Sequence, residues 1–138
     1  MSELVDSDKP HGLMTLRTVA MPADTNAAGD IFGGWVLSQM DLAGSITAGH
    51  RAQGRTVTVA VDRMKFIRPV KVGDVLCVYT ELGRVGRTSI EVHLEAWAMS
   101  RGLGARSKVT QATFTFVHVD DAGHPSAVPE EAPTEALY

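Results

Sequence analysis

A single α+β domain, with one long helix covering an antiparallel sheet, is the architecture this sequence predicts. Three observations predict it. Only one segment, Gly33 to about His50, repeats apolar residues at helical spacing. Several later runs alternate with a period of two, the period of a half-buried strand. Short stretches rich in Gly, Pro and Asp separate those runs. Consecutive strands joined by tight turns form an antiparallel meander or something close to it, and one helix then covers one face. At 138 residues the chain is long enough for one hydrophobic core.

In chain order, residues 1–10 read as a flexible lead-in, 11–120 as the domain, and 121–138 as an acidic tail containing proline. Gly12–Ala20 is the first expected strand. Met21–Asp30 carries Pro22, Asp24, Asn26 and Gly29, the residues of a loop. The helix follows, with Val36, Met40, Ala43 and Ile46/Thr47 recurring at its period and Asp30 placed to cap its first amides. It is apolar nearly all round, so a sheet or a second subunit must cover it. After Gly54 the period becomes two. Val57, Val59 and Val61 share one face, while Met64 and Phe66 have the opposite parity. Strict alternation cannot bury both sets, which predicts a β-bulge or a change of packing partner near Asp62–Arg63. Pro69 and Gly73–Asp74 mark a turn before a strand at Val75–Leu82, and Gly83–Arg87 reads as the next turn. Ile90, Val92, Leu94, Ala96 and Ala98 alternate with Glu91, His93, Glu95 and Trp97, a half-exposed strand. Ser107–Val119 is the last strand. An ordered turn and then a poorly ordered tail are expected from Asp120.

Composition narrows the function classes. A net charge of −3 gives no basic surface that would argue for nucleic acid. No run approaches 18 apolar residues, so no membrane span is expected. The acidic, polar N-terminus has no apolar core of a secretory signal. The single cysteine, Cys77, cannot form an internal disulfide and fits a reducing cytoplasm. It alternates with Val75 and Tyr79 and reads as a small core residue. The histidines His11, His50, His93, His118 and His124 are scattered without zinc-site spacing, so no metal is expected.

The chemistry-bearing residues concentrate between Asn26 and Asp41. Asp41 lies about two turns inside the helix and has no basic residue three or four positions away. Two roles are open to it: an exposed surface carboxylate, or a general base or nucleophile. Gly33 and Gly34 open the helix, either as a tight packing turn or as a place where free N–H groups meet developing negative charge. Asn26 could close a turn with its own backbone, or orient a water or a carbonyl oxygen. A symmetric dimer could bring Asn26 of one copy to Asp41 of the other more easily than one chain could. Arg84, Arg87, Thr88 and Ser89 make a donor-rich turn, which suits either plain solvation or phosphate.

The segment NAAGDIFGGWVLSQMDLAG, Asn26 to Gly44, resembles the signature of hotdog-fold acyl-CoA thioesterases, most closely the bacterial YciA-type branch. The resemblance continues through Arg55–Asp62, Phe66–Pro69 with Val72–Asp74, and Val85–Ile90. It implies a helix wrapped by an antiparallel sheet, dimers with a continuous sheet and often trimers of dimers. It implies hydrolysis of an acyl-CoA thioester at the dimer interface, with CoA as part of the substrate and no separate cofactor. By position Asp41 matches the catalytic carboxylate, Asn26 its partner from the facing subunit, and Gly34 the backbone N–H that holds the thioester oxygen. Substrate contacts are expected at Gly33, Phe66, Arg84, Arg87, Thr88 and Ser89, with Arg68 and Lys108 as further basic candidates. Leu37, Met40 and Phe66 are expected along the acyl chain. Two rival readings are a non-catalytic acyl-CoA-binding module and a hotdog enoyl-thioester hydratase. The hydratase needs a His beside a carboxylate, and none precedes His50 in the loop or helix.

Overall fold

The computed structural model describes residues 9–100 and 104–137. Most of the expected lead-in, residues 1–8, lies outside them. The order is β1 (Leu13–Val19), a short 3₁₀ turn (Pro22–Asp24), α1 (Gly33–Ala52), β2 (Thr56–Phe66), β3 (Val75–Val85), β4 (Ser89–Met99) and β5 (Arg106–His118). The strands form one antiparallel sheet in the order β1-β3-β4-β5-β2. Strands β3, β4 and β5 are the expected meander. The chain departs from a pure meander because α1 carries it from one edge of the sheet to the other, so β1 and β2 become opposite edges.

Helix α1 touches all five strands. Its buried stripe, Val36, Met40, Ala43, Ala48 and Ala52, packs on the even-numbered face of β4 and on Phe114 and Phe116 of β5. Gly44 sets how closely the two layers approach, since a Cβ there would lie 2.8 Å from the Phe116 ring. The remaining helix surface leaves Leu37, Leu42 and Ile46 exposed. The helix is therefore half covered by its own sheet and keeps an uncovered apolar side.

The bulge expected near Asp62–Arg63 is present. The β2–β5 register breaks between Asp62 and Lys65, and Arg63 adopts a φ of 61°. A second break lies between Thr58 and Ala60.

Four expectations are corrected. Asp30 does not cap α1: the N-cap is Phe32 without a side-chain bond, and the Asp30 carboxylate lies 3.3 Å from Lys71 Nζ. Strand β3 continues to Val85, because Val85 pairs with Ile90 and leaves only Gly86–Thr88 for the turn. Trp97 is not on an open face. With Cys77, Tyr79 and Val75 it forms a small cluster on the side of the sheet away from α1, and its Nε1 donates to Glu95 Oε1 at 2.9 Å. Cys77 is buried in this second core cluster, in keeping with its reading as a small core residue. Finally, the chain beyond Asp120 docks. Val119 bridges to Pro125, Val128 is buried, and Arg51 donates to the carbonyl of Pro129 at 2.8 Å.

Candidate active site

Gly34, Leu37, Ser38 and Asp41 occupy positions i, i+3, i+4 and i+7 of α1, so they form one stripe along the helix. That stripe is one wall of a cavity of about 300 Å³, closed by Thr58 and Val61 of β2 and Phe114 of β5. The structure thus brings Gly34 and Asp41 into one space. Asp41 is half-buried, and the Thr58 hydroxyl donates to its Oδ1 at 2.6 Å. That bond holds one carboxylate oxygen, Oδ1, of a residue that lines the cavity. Thr58 was not singled out from the sequence. Its only trace is the Val57–Val61 run, where the register break beside it turns its side chain toward the helix.

The first backbone bonds of α1 run from Trp35 N and Val36 N to Phe32 O, at 3.1 and 3.4 Å. The amides of Gly33 and Gly34 lie ahead of them, among the donors that a helix cannot satisfy internally. A Cβ on Gly34 would meet nothing within 4 Å, so the space above this amide is open. Gly33 is different: its Cβ would lie 3.3 Å from the Phe66 ring. The two residues pack together and line a neighbouring cavity of about 340 Å³ with Val36, Arg68 and Val70. Met40, expected beside the acyl chain, is fully buried in the core and lines neither cavity.

Asn26 does not reach Asp41 within the chain. It sits in the loop before the helix, where its Oδ1 accepts from Ala28 N and Asp30 N at 2.9 and 3.1 Å. With the acceptor engaged in this turn, the side chain offers its N–H donors to a ligand. Arg84, Arg87, Thr88 and Ser89 also lie away from the cavity. Ser89 pairs with Val117, next to the start of β2, so this turn sits beside the C-terminal end of α1. Arg68 donates to Lys108 O at 2.9 Å. Lys108 is buried and bonds Gln111 through Nζ near Glu95, which removes it from the basic candidates. No histidine lines the Asp41 cavity, and among the described residues no three His, Cys, Asp or Glu gather as metal ligands.

Burial pushes the Cys77 thiol up from its ordinary value, against the opposing pull of the Arg17 and Arg106 guanidinium groups. It is an inert thiol and plays no part in this site.

Residues 28–105 match the family model of the thioesterase superfamily. The chain belongs to that family. It is 52% identical over 125 residues to the acyl-CoA thioester hydrolase YciA of Escherichia coli, covering 88% of this chain and 95% of that one. The solved structure of HI0827, a hexameric broad specificity acyl-coenzyme A thioesterase, superposes with a TM-score of 0.84 at 52% identity, over 89% of this chain and 85% of that one. Cj0915 of Campylobacter jejuni, a hexameric hotdog fold thioesterase, gives 0.81 at 43% identity, over 86% and 92%. The single helix on a five-stranded antiparallel sheet is this superfamily's hotdog fold.

Proposed function

We propose that this thioesterase hydrolyses acyl-CoA esters in the cavity between α1 and β2, with Asp41 acting on the thioester and a second copy of the chain completing the site. The observation that carries the reading is the pairing of a free helix-start amide, Gly34, with a carboxylate, Asp41, along one cavity wall. The relatives' activity gives the substrate class and points to broad specificity.

In this reading the thioester carbonyl lies against the Gly34 N–H, where the helix dipole favours an oxyanion. Asp41 takes a proton from water through Oδ2 as the water oxygen bonds the carbonyl carbon. The tetrahedral intermediate collapses, the carbon–sulfur bond breaks, and CoA leaves as its thiol with the proton returned. The alternative is direct attack by Asp41 to give a mixed anhydride, which water then opens. Thr58 fixes the carboxylate in either case. Asn26, whose amide keeps its donors free, holds the water or the carbonyl from the facing copy. The nucleotide of CoA lies toward Arg84, Arg87, Thr88 and Ser89. From Asp41 to Ala52 the helix rises about 16 Å, a gap that an extended pantetheine arm spans. The acyl group runs past Leu37 toward Gly33 and Phe66. No cofactor beyond the CoA of the substrate takes part.

Self-association fits the uncovered surfaces. Strand β2 is a sheet edge with Val57, Val59 and Val61 exposed, and α1 exposes Leu37, Leu42 and Ile46 beside it. A second β2 pairing there gives the dimer with a continuous sheet, and the relatives' hexamers are the model for its assembly. No helix among the described residues is long and apolar enough to cross a membrane, and we place the protein in the cytoplasm. The test is thiol release from acetyl-, butyryl-, hexanoyl-, lauroyl- and palmitoyl-CoA, with wild type beside Asp41→Ala. Turnover that survives unchanged in the variant would sink the mechanism. Saturable CoA-ester binding without turnover in the wild type would make the protein a binding module.

A further inference from the structure

The segment after β5 turns back at Val119–Pro125 and ties three parts of the molecule together. Ser126 N donates to His118 O at 2.8 Å, and the His118 ring nitrogen Nδ1 hydrogen-bonds Ala127 O at 3.0 Å. Val128, 7% exposed, donates its backbone N–H to the carbonyl of Arg87 at 2.7 Å. The last turn of α1 then grips the next residues. The Arg51 guanidinium, on a residue 9% exposed, donates to the carbonyls of Pro129, Glu130 and Glu131 at 2.8, 3.3 and 3.5 Å. His50 Nε2 hydrogen-bonds Glu135 O at 3.0 Å.

We propose that residues 125–137 act as a strap that presets the turn between β3 and β4 for the phosphates of CoA. The strap then governs substrate affinity and leaves the chemical step alone. The proposal rests on the reading of Arg87, Thr88 and Ser89 as the phosphate contacts. Its physical basis is the geometry of the peptide group. In a planar trans peptide the C=O and the following N–H point in opposite directions. Val128 fixes the Arg87 carbonyl and so fixes the direction in which the Thr88 N–H is offered. The next carbonyl, Thr88 O, is held by His118 N at 2.9 Å. One of the two peptide groups at the centre of the turn is thus pinned by β5 and the other by the strap. A turn already held in its binding conformation loses less freedom when an anion arrives. Arg51 sits at the negative end of the helix dipole, where a cation is favoured, and its fork of donors suits several carbonyls at once. It anchors the strap and touches no part of the cavity that holds Asp41.

The test uses the full chain, a chain ending at Ser126, and Arg51→Met, each checked for folding by thermal unfolding. Butyryl-CoA is compared with butyryl-N-acetylcysteamine, which carries the same thioester and no nucleotide, and CoA binding is followed by calorimetry. Both strap variants are expected to raise KM for butyryl-CoA and Kd for CoA about tenfold, the effect of losing about 1.4 kcal/mol. Their kcat should stay within about twofold of wild type, and kcat/KM for the N-acetylcysteamine ester should not change. Equal losses on both substrates, or wild-type Kd for CoA in both folded variants, would overturn the strap. Arg87→Ala separates the two readings. If it leaves CoA binding intact in the full chain, the phosphate assignment fails and the strap with it. If it weakens CoA binding while the strap variants do not, only the strap fails.

Discussion

Two glycines ten residues apart on one helix, Gly34 and Gly44, have opposite meanings, and the space around each decides which. At Gly34 an added methyl meets nothing within 4 Å. Gly34→Ala should therefore stabilise the fold by about 0.5–1 kcal/mol, since alanine loses less backbone entropy in a helix. In the proposed mechanism the same methyl would stand where the thioester oxygen approaches the amide. Thermal unfolding and thiol release on one sample should show a higher melting temperature and a large loss of kcat/KM. At Gly44 the methyl would press the Phe116 ring at 2.8 Å. Gly44→Ala should destabilise by about 1–3 kcal/mol through overpacking, measured by urea unfolding. Asp41→Asn keeps the shape of the side chain and removes its basicity. A fall in kcat of about 10²–10⁴-fold, the usual contribution of a general base, with CoA affinity kept, is the outcome expected from turnover and calorimetry. Cys77 makes a control: its thiol should resist a thiol-reactive dye in the native protein and react once the chain is unfolded in guanidinium.

Among the elements, β2 holds the most information about function. Its two register breaks, at Thr58/Ala60 and Asp62/Lys65, let one strand present Thr58, Val61 and Phe66 toward the helix despite their mixed parity. The bulge at Asp62–Arg63 was legible because five apolar residues could not share a face under strict alternation. The break after Thr58 was not, because Thr58 is a small polar residue among valines and breaks no pattern. Thr58→Val keeps the volume and deletes the donor. It should lower kcat, since the carboxylate loses the bond that holds one of its oxygens in place. Thr58→Ser should restore most of the loss.

For the whole molecule, one copy of the chain leaves uncovered the surfaces that the proposed two-copy site would use. Asn26 closes a turn in its own loop, while the β2 edge and one side of α1 stay uncovered. Val59, 56% exposed at the break in this edge, tests the completion of the site by a second copy. Val59→Asp would place like charges along a self-paired edge. Light scattering behind size exclusion should report a smaller species, and its specific activity should fall although Asp41, Thr58 and Gly34 are untouched. A small species with full activity would show that the site is complete within one chain.

The amino-acid sequence by itself determined the number and order of the elements, the bulge in β2, the burial of Cys77 and the family to which the chain belongs. These are set by period, turn residues and motif, all of which are local. The tertiary structure alone decided which distant groups meet. Thr58 reaches Asp41 across 17 positions of chain because β2 lies antiparallel to α1. Lys108 is buried beside Glu95 of β4, Trp97 is covered by Cys77 and Tyr79 of β3, and a tail of acidic and proline-rich composition is docked by Arg51 of α1. In each of these cases a partner from another element satisfies a group that looks exposed or free along the chain. Composition measures a segment's own tendency to bury itself, and it carries no record of an arginine such as Arg51 waiting on a different element to hold it.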